Sequence, residues 1–326
     1  MLIILTTVTS WGTALLSLNG HRRGWITLNV IINLCILVVF KYLDFFGRGL
    51  ARLTAMWGWN IDSFTLDILL PVGISFYTFQ AISYSIDVYR QHITPEQDLL
   101  TFATFIAFFP QLLAGPIERG RQLLPQISCH RRWDYSQAVD GAREMLWGLF
   151  KKVAVADTCG LYVDAIYSDR GSPPAILSVA AILFMLQIYG DFSGYCNMAR
   201  GLSAMLGIRL SVNFRYPLFS RNPAEFWHRW HITLMTWFRD YVYIPLGGSR
   251  GGRLATCRNI LAVFLLSGLW HGASLNYVVW GALWGIIMIL ARMSHQHRYH
   301  PASVPSGSAS ELLKIFATVY VATLVF

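Results

Sequence analysis

The stretch NILAVFLLSGLWHGASLNYVVWGALWGIIMILA, residues 259–291, runs for 33 residues without a Lys, Arg, Asp or Glu. As one helix at 1.5 Å per residue it would reach roughly 50 Å, well beyond a hydrocarbon core of about 30 Å. The run is therefore expected to fold back on itself. The natural break is His271-Gly272-Ala273-Ser274-Leu275-Asn276, which places a histidine at a turn between two apolar segments. An ionisable side chain at membrane depth is costly and points to function by default. Imidazole, with an unperturbed pKa of about 6.5, suits proton transfer near neutral pH. The competing reading is a histidine that caps a helix or satisfies a neighbour.

Working outward, the uncharged runs 1–20, 24–40, 68–86, 99–117 and 171–190 each approach the 17–25 residues, about 20 on average, that a membrane helix needs. Pro71 and Gly73 interrupt one, Pro110 with Gly115-Pro116 another, and Gly190 with Gly194 close a third. Broken helices at membrane depth are tolerated only where protein or a water-filled cavity satisfies the freed backbone groups. An internal cavity or channel is the expectation. The first run has neither a basic leader region nor a cleavage site and is expected to be a retained span. After Lys314 only twelve apolar residues remain before Phe326, so the chain is expected to be truncated there.

Composition agrees. The chain is 55% hydrophobic and 13% charged, about half the 25% charge of an ordinary soluble domain. That excludes disorder and leaves too little polar surface for a water-soluble chain. The net charge is +9, but a nucleic-acid binder needs its charge clustered on a polar chain, so nucleic acid is not an expected partner. Sixteen of the 26 Lys and Arg fall within 119–152 and 200–258, inside the polar stretches 118–170 and 191–258, which places both stretches on the cytoplasmic side. A crossing besides 171–190 must then separate them, and Lys152–Tyr167 is the candidate. Five cysteines without CxxC spacing read as buried free thiols.

Three further constellations carry polar chemistry. EFWHRWHITLMTWFRDY, residues 225–241, read as a helix, sets His228 and His231 three apart on one face and builds an aromatic surface from Trp227, Trp230, Trp237 and Phe238. Two histidines are too few for a catalytic zinc site, so no metal is expected. An interfacial amphipathic helix and a second catalytic or substrate-positioning histidine are the two readings that remain. QIYGDFSGYCNM, residues 187–198, with Asp191 in it, is a polar, glycine-broken span end that either lines a cavity, hydrogen-bonds a catalytic histidine or caps a helix at the interface. PLGGSRGGR, residues 245–253, is a basic glycine-rich loop without the P-loop pattern. His295, His297 and His300 read as part of a solvated linker and not as a metal site.

Taken together, PVGISFYTFQ (71–80), FPQLLAGPI (109–117), YGDFSG (189–194), the segment from Trp227 to Gly248 and LWHG (269–272) stand in an order that resembles the membrane-bound O-acyltransferases. The resemblance is strongest to the bacterial alginate O-acetyltransferase branch and covers about residues 25–290. It implies an all-α polytopic membrane protein, a single domain over 1–326, with a ring of transmembrane and re-entrant helices around a central tunnel. It assigns the tunnel histidine to His271 and the second motif histidine to His231. Where the family usually has Arg this chain has His228, and Cys196 and Asn197 replace the usual Ser and Asp, so no catalytic role is carried to those positions.

The resemblance implies acyl transfer in the bacterial inner membrane. A cytoplasmic thioester, acetyl-CoA or another acyl carrier, donates the acyl group, and a hydroxyl on the other side accepts it. An extracytoplasmic acetyltransferase partner would pass the group to an exported polysaccharide. No cofactor beyond the co-substrate is expected. Candidate substrate-binding residues are Asp191, Trp230, Arg239, Arg250 and Asn276. An acyl-enzyme on Ser193 or Cys196 is a variant of the mechanism. D-alanyl transfer to a cell-envelope polymer, and a transporter or channel for an acyl donor or glycan, are the alternatives.

Overall fold

The structure is a computed structural model and describes residues 1–59, 71–169, 171–294 and 308–326. Among these, every regular element is helical: α1 (Leu2–Leu16), α2 (Arg22–Leu37), α3 (Leu43–Met56), α4 (Ile74–Tyr89), α5 (Leu99–Ile106), α6 (Phe109–Leu112), α7 (Gly120–Ser128), α8 (Tyr135–Phe150), α9 (Thr158–Ser168), α10 (Pro174–Met205), α11 (Pro223–Arg229), α12 (Ile232–Phe238), α13 (Gly252–His271), α14 (Leu275–Met293) and α15 (Ala309–Val325). Among the described residues, five stretches are long and apolar enough to cross a membrane: Leu2–Asn19, Arg22–Met56, Pro174–Met205, Gly252–His271 and Leu275–Met293. The three histidines of 295–300 lie outside the described residues.

The fold-back of residues 259–291 is present. α13 ends at His271, and α14 starts at Leu275. Other boundaries differ from the sequence expectation, each for a local reason. Lys41 does not end the second run, because a π-helical segment, Val38–Tyr42, carries α2 straight into α3. Pro71 and Gly73 precede α4, and the first residues of that run, 68–70, lie outside the described residues. Gly73 takes φ +74° as its N-cap, and a Cβ there would collide with the Leu112 carbonyl. Residues 99–117 split into the short helices α5 and α6, parted at Ala107-Phe108, with Pro110 in the first turn of α6, where its missing N–H costs nothing. Gly190 and Gly194 do not close α10, which continues to Met205. Of the five cysteines, all free, only Cys196 is buried, while Cys35 and Cys129 are exposed.

Two compact units make up the chain. The first comprises Met1–Leu113, Ile117–His130 and Leu269–Val278. Its helices α1, α2 and α4 are joined by side chains that are fully buried: Ser10, Asn29, Asn33 and Ser85. Ser10 donates to Asn29 Oδ1 at 3.1 Å, Asn33 donates to the same oxygen at 2.7 Å, and the Asn29 amide donates to Ser85 Oγ. In an apolar solvent helices gain little from hiding apolar surface from one another, so such interhelical bonds supply adhesion, about 1–2 kcal/mol each at most.

The second unit comprises Ala114–Pro116, Arg131–Gly268 and Val279–Phe326. Here α8, the π-helical segment Lys151–Asp157 and α9 form one helical run beside α10. That run includes Lys152–Tyr167, the segment proposed from sequence as an extra crossing. Gly141 faces Gly201, and Gly148 faces Gly194, each pair spaced seven residues along its helix. A Cβ on Gly148 would lie 2.5 Å from the Gly194 carbonyl oxygen, and one on Gly141 2.5 Å from that of Gly201. The glycines of α10 are therefore contact points that let two backbones touch. Beside them, Met185, Phe226, Trp227, Trp230, Phe264, Trp284 and Ala322 form an aromatic core, and Phe326 packs onto it.

Gly148→Ala is expected to destabilise the second unit by about 1–3 kcal/mol, the usual cost of overpacking, whereas Gly12→Ala, inside α1 with nothing within 4 Å of the new methyl, should be neutral to stabilising by up to about 1 kcal/mol. Melting curves of the two purified variants in detergent check this.

Candidate active site

His271 is the last residue of α13, and helix ends leave carbonyls without intrahelical partners. In the first unit, two side chains from the π-helical segment satisfy them. Tyr42 donates its hydroxyl to the Leu269 carbonyl at 2.6 Å, and the Lys41 ammonium donates to the Trp270 carbonyl and, at 2.9 Å, to Ser75 Oγ. A cation at a helix C-terminus also complements the helix dipole. Lys41 Nζ sits 5.6 Å from the Trp270 ring centre, a cation–π distance. Phe76 meets that indole edge-on at 5.3 Å. On the far side of the turn Tyr277 lies nearly parallel to the His271 imidazole, 6.5 Å away, and a Cβ on Gly272 would fall onto the Tyr277 ring. Thus glycine after His271 is a steric requirement. Sequence reasoning treated Lys41 only as a run boundary. The usable signal is a lysine at the end of a 17-residue uncharged run, with Asp44 three positions on as the nearest acidic residue.

His231 lies in the second unit, and its geometry departs from the helical reading of 225–241. α11 ends at Arg229, and His231 takes φ +43°, uncommon for a residue other than glycine. His228 and His231 therefore do not share a helix face: His228 is exposed and His231 buried. The interfacial-helix reading falls with it, since Phe226, Trp227 and Trp230 are core residues, with Phe226 stacked on Trp284 at 5.6 Å and 3° and on Trp230 at 5.4 Å. The strand-like segment 213–215 runs alongside the break. Ile232 N–H donates to the Asn213 carbonyl, and Arg215 N–H to that of Arg229, both at 2.9 Å. Asn213 Oδ1 lies 3.1 Å from His231 Nδ1, and Phe192 meets the imidazole edge-on at 4.7 Å. Asn213 has no motif around it that singles it out.

α11 is held by a buried ionic cluster. Asn222 caps it, accepting the Glu225 N–H at 2.8 Å, and Pro223 occupies its first turn. Glu225 is 1% exposed and accepts from Arg221 Nε at 3.1 Å and from Arg229 Nη2 at 2.5 Å. Burial alone would raise its carboxyl, but Arg221 and Arg229 outweigh that and hold it below the usual carboxylate range. Arg221 also reaches Glu311 of α15 at 3.4 Å.

The remaining candidates are dispersed. Asp191 is exposed and paired with Lys152 at 2.6 Å, and Lys152 also binds Asp157. Arg239 is exposed and pairs with its neighbour Asp240 at 2.8 Å. Arg250 is exposed in the glycine turn, and Asn276 is exposed in the first turn of α14, its backbone N–H on Ser274 Oγ at 3.3 Å. The stretch 187–198 does line a cavity, one of about 390 Å³ in the second unit, through Tyr189, Ser193, Cys196 and Asn197, although Asp191 does not border it. The cations Lys151, Arg200 and Arg215, the rings of Trp147 and Tyr189, and Asn213 are among its walls. Lys151 donates to Asn197 Oδ1 at 2.8 Å and lies 5.6 Å from the Tyr189 ring. Cys196, which also borders it, is buried, donates to the Ala114 carbonyl at 3.6 Å, and accepts from Asn213.

Residues 90–323 match the model of the membrane-bound O-acyltransferase family. The chain belongs to that family. It is 43% identical over 272 residues to the probable alginate O-acetylase of Pseudomonas syringae pv. tomato, covering 83% of this chain and 52% of the relative. It is 35% identical over 315 residues to the peptidoglycan O-acetyltransferase of Helicobacter pylori, covering 88% and 59%. The teichoic acid D-alanyltransferase of Bacillus subtilis is 26% identical over 268 residues, covering 76% and 66%. The chain thus spans about half the length of the alginate O-acetylase relative. Both motif histidines, His231 and His271, and the Glu225 cluster lie inside the matched range.

A carboxyl depressed on folding adds stability above the unfolded carboxylate pKa and loses it as pH falls through the folded one. Glu225→Gln should therefore melt below the wild type at neutral pH, and the gap should close as pH drops below about 4. Paired melting curves across pH check the sign.

Proposed function

We propose that this chain carries the acyl-transfer centre of a membrane-embedded O-acyltransferase of the bacterial inner membrane, with His271 as general base. The observation that carries the reading is the Trp270-His271-Gly272 turn, locked at the end of an apolar helix by an intramembrane lysine and tyrosine. A histidine needed only as a cap would not require two donors from another helix to define the backbone beside it. In the proposed step His271 takes the proton of an acceptor hydroxyl. The oxygen attacks the thioester carbonyl, the C–S bond breaks, and the leaving thiolate recovers the proton.

The donor is an anionic acyl thioester, acetyl-CoA first among candidates, arriving from the cytoplasmic side. The cavity with Lys151, Arg200 and Arg215 supports this, since it joins cationic and aromatic groups of the kind that hold phosphates and a nucleobase. Neither Arg239 nor Arg250 borders that cavity, so we assign them a peripheral part in donor binding, with Asp191, Trp230 and Asn276 supporting the fold around the centre. The acceptor is a hydroxyl leading to an exported polysaccharide through an extracytoplasmic partner. No metal or resident cofactor enters the proposed chemistry. Transfer of D-alanyl to an envelope polymer is the second reading, favoured by more distant relatives such as that of Bacillus.

His271→Ala should cut acetyl transfer by about 10²–10⁴-fold while the protein still inserts into the membrane. Two measurements check it: O-acetyl content of the exopolysaccharide by mass spectrometry, and thiol release from acetyl-CoA by the purified protein. Thiol release unchanged in His271→Ala would overturn the assignment, and substrate moved across liposomes by a wild type that never cleaves a thioester would favour a transporter.

A further inference from the structure

The acyl-transfer reading leaves the task of His231 open: it could donate a hydrogen bond to the thioester carbonyl or accept one from a proton-bearing group. Its surroundings decide between these. Asn213 Oδ1 lies 3.1 Å from His231 Nδ1. The orientation of that amide is not arbitrary, because the same oxygen accepts the backbone N–H of Thr233 at 3.1 Å. A backbone N–H can only donate, so a flipped amide would set an NH₂ group against it. The Thr233 hydroxyl donates to Oδ1 as well, at 3.0 Å, while Nδ2 donates to Cys196 Sγ at 3.3 Å. The oxygen therefore faces His231, and Nδ1 must carry the proton.

We infer that Asn213 is a positioning residue that fixes His231 as the neutral Nδ1–H tautomer, so that Nε2 serves the reaction as an acceptor. The inference rests on the acyl-transfer reading for its chemical meaning, and on the Asn213 network alone for the tautomer. Asn213 also replaces a missing helix cap. α12 begins at Ile232 with His231 as its N-cap residue, and no side-chain cap comes from His231 itself. Asn213 supplies it from outside by accepting the Thr233 N–H, while its backbone carbonyl accepts the Ile232 N–H. One residue thus sets both the left-handed turn and the proton position. Phe192 edge-on and Phe214 stacked 6.5 Å away at 23° wall the ring plane.

The consequence is specific. In this tautomer Nε2 bears a lone pair and cannot polarise a carbonyl oxygen. It can receive the hydrogen of a hydroxyl or an amide N–H, which makes His231 an orienting group for a proton-bearing part of the substrate. Polarising the thioester would first require an imidazolium.

Nitrogen NMR of the full chain with ¹⁵N-labelled histidine, in lipid at about pH 8 where imidazole is neutral, reads the tautomer without any substrate. The wild type minus His231→Asn difference isolates the ring, since the shorter amide keeps a donor near the Nδ1 position and removes Nε2. A protonated Nδ1 with a bare Nε2, converting to a mixture in Asn213→Leu, is the expected result. An Nε2–H ring in the wild type, or an unchanged ring in Asn213→Leu, overturns the inference. Kinetics add a second arm with acetyl-CoA as probe. Asn213→Leu should lower kcat by roughly 10–100-fold with KM within about twofold, and Asn213→Asp, which keeps an acceptor facing Nδ1, should recover most of it. Equal losses in both variants would overturn the positioning role. A wild type that releases no thiol counts against the acyl-transfer reading instead, with the spectrum still deciding the tautomer.

Discussion

An apolar solvent allows no idle backbone polar group, and a helix that ends within it exposes carbonyls that must be met from elsewhere. α13, apolar and long enough to cross a membrane, ends at His271. The Lys41 ammonium and the Tyr42 hydroxyl meet its last turn, and much of the first unit follows from that demand. The donors must come from a helix that passes close by, which is what the π-helical segment Val38–Tyr42 achieves by turning two consecutive side chains toward the same helix end. A buried ammonium in turn needs acceptors and polarisable walls, and it has Ser75 Oγ, the Trp270 carbonyl and the Trp270 ring. Fixing these carbonyls fixes the backbone on which the imidazole is mounted.

The second unit solves a related problem with different groups. Its motif histidine sits at a break between two seven-residue helices, each too short to be stable alone. α11 is anchored by the Glu225 carboxylate between two guanidinium groups and by rings stacked in an aromatic core, and α12 by Asn213. Both histidines are thus held from outside their own helices, by residues distant in the chain. A side chain whose ring must keep one orientation is better defined by such cross-links than by local helix geometry.

Much of this was legible beforehand. Charge-free runs separated by breakers predict a polytopic helical protein, and the length of 259–291 predicts its fold-back, because these depend only on bilayer thickness and helix rise. Helix continuity was less legible. The glycines of α10 and the lysine after residue 40 look like terminators in a linear reading, yet a helix continues through them wherever a neighbour packs against the glycine or accepts the charge. The aromatic residues of 225–241 read equally as an interfacial surface or a core, since periodicity states that rings share a face but not what covers it.

The sequence by itself determined that this is a membrane helical protein, that His271 stands at a turn in an apolar run, and, through its motifs, the family. These are properties of composition, spacing and order along one dimension. Only the tertiary structure decided that Lys41 and Tyr42 terminate α13, that His231 leaves the helix its neighbours suggested, that Trp230 is a core residue, and that Asn213 sets a proton on one ring nitrogen. Each depends on groups far apart in the chain, a donor meeting an acceptor across 18 to 229 positions or, for Trp230, rings packed in a common core, and such pairings leave no periodic trace in the sequence.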